Sequence, residues 1–151
     1  RALSSHLDSK RLEEDIRTLL LNIEVLRERI ELMTNNLRKL VEEKESLERA
    51  IAGLKSMSEA GEQLTIFLDP KYNAALTATS IEKGKALVFL GFNIYARLSI
   101  DQAVKVLEGR RAKIEKSIEA VSKTLSQLVS LYNNYSLLLQ QLTASQAERK
   151  K

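Results

Sequence analysis

The sequence predicts a mainly α-helical protein with a small β element: a long antiparallel coiled-coil hairpin with two β-hairpins at its bend. Three observations predict it. Two stretches repeat apolar residues at alternating spacings of four and three, the two stretches are equally long, and the segment between them switches to β-favouring runs separated by turn residues. Composition points the same way. Of 151 residues only 5% are aromatic while 29% are charged, and the chain holds one Pro and five Gly. A seam between two helices needs few bulky side chains, whereas a compact globular core needs more.

The first seam reads Leu12, Ile16, Leu19, Ile23, Leu26, Ile30, Met33, Leu37, Leu40, Lys44, Leu47, Ile51 and Leu54. Twelve of these thirteen positions are apolar, against about six for a random frame at 44% hydrophobic. With Ile16 at heptad position a, every d position holds Leu or Met, and the 3.5-residue period specifies a left-handed supercoil. Residues 1–56 are assigned to this helix. The run Glu13-Glu14-Asp15 is read as a dipole-favoured helix start within the first turn or two, in preference to a metal site.

The second seam reads Ile100, Val104, Leu107, Arg111, Ile114, Ile118, Val121, Leu125, Leu128, Tyr132, Tyr135, Leu139 and Leu142. Ser99 and Gln102 form a capping box at its start. Residues 99–146 are assigned to this helix and 147–151 to a basic tail, with fraying expected from Thr143 onward. Each seam covers roughly 63 Å of helix at 1.5 Å per residue, so two antiparallel helices can bury each other's stripe. The register then pairs Leu54 with Ile100 beside the bend and Leu12 with Leu142 at the other end. It also brings the two seam defects, Lys44 and Arg111, to one level. Either carboxylates from Glu43, Glu48, Glu108 or Glu115 reach in, or both long side chains escape to solvent. Snorkelling is the simpler expectation.

The connector, 57–98, has a different character. Leu64 to Leu68 is β-favouring and is closed by the turn chemistry of Asp69-Pro70-Lys71-Tyr72-Asn73. Ala74 to Ser80 follows, then a turn containing Lys83-Gly84-Lys85, then strands over Ala86 to Leu90 and Asn93 to Leu98. Four short strands with hairpin-length turns make two β-hairpins. Such a unit buries little by itself and has free edges, so pairing with other chains is a physical expectation.

Several function classes find no support. The chain has no Cys, which removes disulfides, thiolate zinc sites and a cysteine nucleophile. No apolar run approaches the roughly 20 residues of a membrane span, and RALSSHLDSK lacks the apolar core of a secretory signal. There is no initiator Met, so residues upstream are expected. The net charge of +4 is spread among acidic residues without a basic, aromatic-lined groove, so no nucleic-acid partner is expected. His6 is the sole histidine and stands in the terminal segment, without a partner for acid–base work. Lys83-Gly84-Lys85 lacks the spacing of a P-loop. No enzyme activity, cofactor or metal is expected, and the absence of Cys suits a reducing cytoplasm.

The order helix, two β-hairpins, helix resembles the prefoldin family, specifically its alpha class; beta-class subunits have a single hairpin. The local likeness runs through Gly91-Phe92-Asn93-Ile94-Tyr95-Ala96 and Leu98-Ser99-Ile100-Asp101-Gln102-Ala103-Val104 to Leu107. It is similar to the family's last strand, Gly-x-x-x-Tyr-x, and to its helix opening. One departure is that Asp69 to Thr79 carries no Gly, where the alpha-class first hairpin is often Gly-rich. The resemblance implies a hexamer of two alpha-like and four beta-like subunits. Their hairpins form a β-barrel body, and the coiled-coil ends hold unfolded polypeptides for a group II chaperonin without nucleotide hydrolysis.

Heptad positions then suggest where a client would bind. Positions f and c face away from the seam and are ordinarily polar. Here Leu21 and Leu137 occupy f, and Val25 and Leu32 occupy c. Leu20, Val129, Leu131 and Leu138 widen the stripe at e and g. The expected client surface is Leu3, Leu7, Leu20, Leu21, Val25, Leu131, Leu137, Leu138 and Leu142 at the helix ends. Near the bend the f positions are instead Glu42, Arg49, Gln102, Gly109 and Lys116. The expected oligomerisation surface is Leu64, Ile66, Leu68, Leu87, Phe89, Ile94 and Tyr95. The competing reading is a tethering coiled coil that binds one defined partner.

Overall fold

A computed structural model of the protein describes residues 2–57, 59 and 61–151. The chain runs α1 (Ala2–Ser56), β1 (Leu64–Phe67), β2 (Ala75–Ala78), β3 (Lys85–Gly91), β4 (Ile94–Ser99) and α2 (Ile100–Arg149). Every seam position named from the sequence is buried or half-buried. The alternating spacing of four and three therefore identified the packed face of both helices.

Three expectations need correction at the helix ends and in the charged layer. Because α1 begins at Ala2, Glu13-Glu14-Asp15 lies three turns inside the helix at 3.6 residues per turn, too far in for the terminal dipole to favour it. Helix α2 continues to Arg149, past the boundary expected at 146, because neither Gly nor Pro stands between Thr143 and Arg149. Thr143 turns its hydroxyl back to the Leu139 carbonyl at 2.7 Å, which satisfies the hydroxyl inside a continuing helix. Lys44 and Arg111 do not simply snorkel. The Glu115 carboxylate lies 3.8 Å from Lys44 Nζ and 3.7 Å from Arg111 Nε, and Glu48 stands 3.9 Å from Lys44. One carboxylate shared by two cations neutralises part of the layer and puts Lys44 and Arg111 at one level.

The chain divides into two compact units. The helical unit contains Arg1–Val41 and Ser117–Lys151, with Leu19, Leu26 and Leu128 as its buried side chains. The hairpin unit contains Glu42–Lys116. Its core is Ile51 from α1, Val88 from β3, and Ala103 and Leu107 from α2, flanked by Leu47, Leu54, Ala86, Leu98, Val104 and Val106.

The two hairpins form separate two-stranded antiparallel sheets. In the first, Leu64 pairs with Ala78 and Phe67 with Ala75. Asp69 shapes its loop by accepting backbone N–H bonds from Lys71, Asn73 and Ala74 at 3.1, 2.8 and 3.2 Å, and a side-chain bond from Asn73 at 2.8 Å. Partial desolvation works against its ionised form. The donors from Asn73, Ala74 and Lys71 outweigh that and hold the carboxyl below its usual range.

In the second hairpin, Ala86 pairs with Leu98, Val88 with Ala96 and Phe89 with Tyr95, with a bulge between Phe89 and Gly91. Side chains alternate across a strand, so Ala86, Val88, Ala96 and Leu98 turn inward while Leu87, Phe89 and Tyr95 turn outward. Strand β4 passes directly into α2 through the predicted capping box. Gln102 N–H donates to Ser99 Oγ at 3.2 Å, and Ser99 N–H donates to Gln102 Oε1 at 3.3 Å. Ser99→Ala is expected to cost about 1 kcal/mol in a urea-unfolding measurement.

Candidate functional site

Exposed apolar side chains fall into one set in each unit. In the helical unit, Leu3, Leu7, Leu20, Leu21, Val25, Leu131, Leu137 and Leu138 are all exposed, together with Leu32 and Val129. Leu142 differs: it is half-buried in the seam, as its heptad position dictates. Leu21 at 64% and Leu137 at 57% exposure, both at f positions, lie outside the packed stripe and cannot be assigned to broadening it. Outer positions in the hairpin unit, such as Glu42, Arg49 and Lys116, are exposed and charged. Exposed large apolar side chains at f and c positions thus fall in the helical unit.

In the hairpin unit, Ile66, Leu68, Leu87, Phe89, Ile94 and Tyr95 are exposed and Leu64 is half-buried. The Phe89 and Tyr95 rings stand 5.3 Å apart across the strand pair with an interplanar angle of 56°. On the other hairpin Phe67 meets Tyr72 edge to face at 4.7 Å. Between the hairpins and the helices runs an open apolar groove of about 590 Å³, lined by Gly53, Leu54, Met57, Ile66, Leu87 and Phe89 among others. At its edge Arg110 donates from its guanidinium to the Phe89 carbonyl, so this part of the β3 edge is engaged by the chain itself.

Five exposed residues of this surface escaped the sequence reading: Phe67, Tyr72, Leu76, Leu90 and Phe92. Strand alternation contained the signal for Leu76, which lies opposite Ile66. Phe92 had a different signal, an aromatic residue in a two-residue turn. Phe92 and Asn93 have φ of 48° and 59°, the left-handed pair that closes a tight hairpin. Asn tolerates that conformation, whereas a bulky side chain is strained in it.

Among the described residues no group of three His, Cys, Asp or Glu side chains could hold a metal ion. No helix among them is long and apolar enough to cross a membrane. His6 is exposed, and Lys83 donates to the Gly61 carbonyl within the hairpin unit.

Two seam-forming helices, joined through two β-hairpins with apolar outer faces, define a coiled-coil subunit with a β-hairpin insert. A sequence model described as "Prefoldin subunit" matches residues 10–145. The chain belongs to the prefoldin family of chaperone subunits, and its similarity is to the alpha class. It is 39% identical to prefoldin subunit alpha of Aeropyrum pernix over 52% of each chain. It is 25% identical to prefoldin subunit alpha of Saccharolobus solfataricus over 87% of this chain and 89% of that one. The Metallosphaera sedula subunit alpha is also 25% identical, over 93% of this chain and 97% of its own length. Among solved structures, a chain of filamentous PFD from Methanocaldococcus jannaschii, determined by cryo-EM, is 23% identical. It matches 81% of this chain and 95% of its own length with a TM-score of 0.48.

Proposed function

We propose that the chain is an ATP-independent holdase subunit of a prefoldin-type hexamer, in which two alpha-like subunits assemble with four beta-like ones through their hairpins. Unfolded polypeptides are held on the apolar side chains of the helical unit and passed to a group II chaperonin in the cytoplasm. The observation that carries the reading is the exposure of Leu21, Val25, Leu32 and Leu137 at outer heptad positions. An unfolded chain offers scattered apolar side chains in no fixed geometry. A surface that binds it must present leucines on solvated helices without a shaped pocket, and water release supplies the attraction.

The test is suppression of aggregation when a chemically unfolded protein is diluted into buffer without nucleotide, using the chain assembled with a beta-class partner. Leu21→Ser combined with Leu137→Ser is expected to weaken client binding by roughly tenfold or more, at about 0.8 kcal/mol per methylene equivalent removed from contact. Helical content and complex size should not change. Loss of assembly in that variant would move both leucines into a structural role, and an assembled complex that suppresses nothing would favour a tether for one defined partner.

A further inference from the structure

Residues 124–147 of α2 hold no charged side chain over 24 positions, where about seven are expected in a chain that is 29% charged. Residues 8–31 of α1, an equal length in the same unit, hold twelve. Outside the seam, polarity in the charge-free stretch comes from Ser, Thr, Asn and Gln, and part of it is regularly placed. Gln127, Leu131, Asn134, Leu138 and Gln141 follow one another at spacings of four, three, four and three, so they form one line along the helix. All five are exposed, and none belongs to the seam. The line is about 21 Å long at 1.5 Å per residue, roughly the span of six or seven residues of extended chain.

We propose that this amide–leucine stripe binds the backbone of an extended, unfolded polypeptide. Gln127, Asn134 and Gln141 pair its N–H and C=O groups, while Leu131 and Leu138 take its apolar side chains. The inference rests on the holdase reading above and deepens it: backbone hydrogen bonding, in addition to apolar attraction, separates unfolded clients from folded ones.

Leucines by themselves hold an unfolded segment poorly. An apolar side chain that leaves water draws its own backbone N–H and C=O after it, and groups left unpaired cost an amount comparable to what the contact gains. An amide one step along the stripe removes that cost, because it both donates and accepts and so pairs either group in any sequence. A folded client, or a helix, has already paired its backbone internally and gains nothing from the amides. The missing charges fit the same task. A Lys or Glu in the stripe would attract client charge of one sign and repel the other, whereas a neutral amide treats every sequence alike.

The probe is an uncharged peptide of Leu and Ser, longer than the stripe, together with its twin N-methylated at alternate residues. The twin keeps every side chain and loses half of its backbone donors. Binding is read by fluorescence anisotropy on the full-length chain assembled with a beta-class partner. Wild type should bind the peptide at least tenfold more tightly than the twin. The triple variant Gln127→Leu, Asn134→Leu, Gln141→Leu makes the stripe more apolar, and it should bind the two alike. Asn133→Leu with Gln140→Leu replaces two exposed amides beside the stripe and should keep the wild-type preference.

Equal binding of the two peptides by wild type would overturn the proposal, and so would an undiminished preference in the triple variant. Either result leaves the holdase reading standing when the same assembly suppresses aggregation. Loss of the preference in the Asn133, Gln140 variant as complete as in the triple variant would overturn the assignment to this stripe. An assembly that binds neither peptide and suppresses no aggregation would overturn both readings.

Discussion

Ile51→Ala is expected to lower the stability of the hairpin unit by about 2–5 kcal/mol, measured as a fall in the urea midpoint at unchanged slope. Ile51 is 3% exposed and shares its cluster with Val88, Ala103 and Leu107, so it touches the first helix's neighbours on both the sheet and the second helix. Deleting its outer carbons loses transfer energy and leaves a cavity. The surroundings have little freedom to collapse into that cavity, because a β-hairpin and two helices converge there. Leu68→Ala, at 60% exposure within the same unit, provides the comparison and should change stability by less than about 0.5 kcal/mol. Equal effects at the two positions would mean that the convergence of α1, β3 and α2 does not hold the unit together.

The second large effect runs in the opposite direction. Lys44→Leu combined with Arg111→Leu is expected to stabilise the hairpin unit by about 1–2 kcal/mol, which raises its melting temperature by roughly 4–8 °C per kcal/mol for a unit of this size. Both cations occupy positions where the heptad calls for an apolar side chain, and each remains about one third exposed, at 35% and 33%. Their distances to Glu115, 3.8 and 3.7 Å, are long for charge-assisted hydrogen bonds, so the ion cluster recovers only part of the desolvation cost. Glu115 is 47% exposed and stays hydrated when its partners are removed. Added salt should weaken the wild-type layer and leave the double variant unaffected. A loss of stability in that variant would show that the shared carboxylate contributes more than an apolar layer can.

How far the sequence reached can be judged from these same residues. The seam was legible because a 3.5-residue period leaves an imprint on every turn, and the capping box because its two partners stand three residues apart. The outer leucines were legible for the same reason, since a heptad assigns outward positions as firmly as inward ones. Glu115 was one of four carboxylates within reach, and nothing local selects it. The choice depends on which side chain lies across the interface at that level. The continuation of α2 to Arg149 was missed because a polar sequence reads as a tail when no seam remains to support it. Phe92 was missed because Asn93 was assigned to the following strand instead of the turn, and the strain at an aromatic residue became visible only through φ.

The junction at Ser99 has a mechanical consequence. Ser99 ends β4 and caps α2, with no intervening residue. A strand welded to a helix by two reciprocal hydrogen bonds has very little compliance. A torque applied to the second hairpin is therefore delivered to the first turns of α2. Load on that hairpin enters the second helix as through a stiff lever.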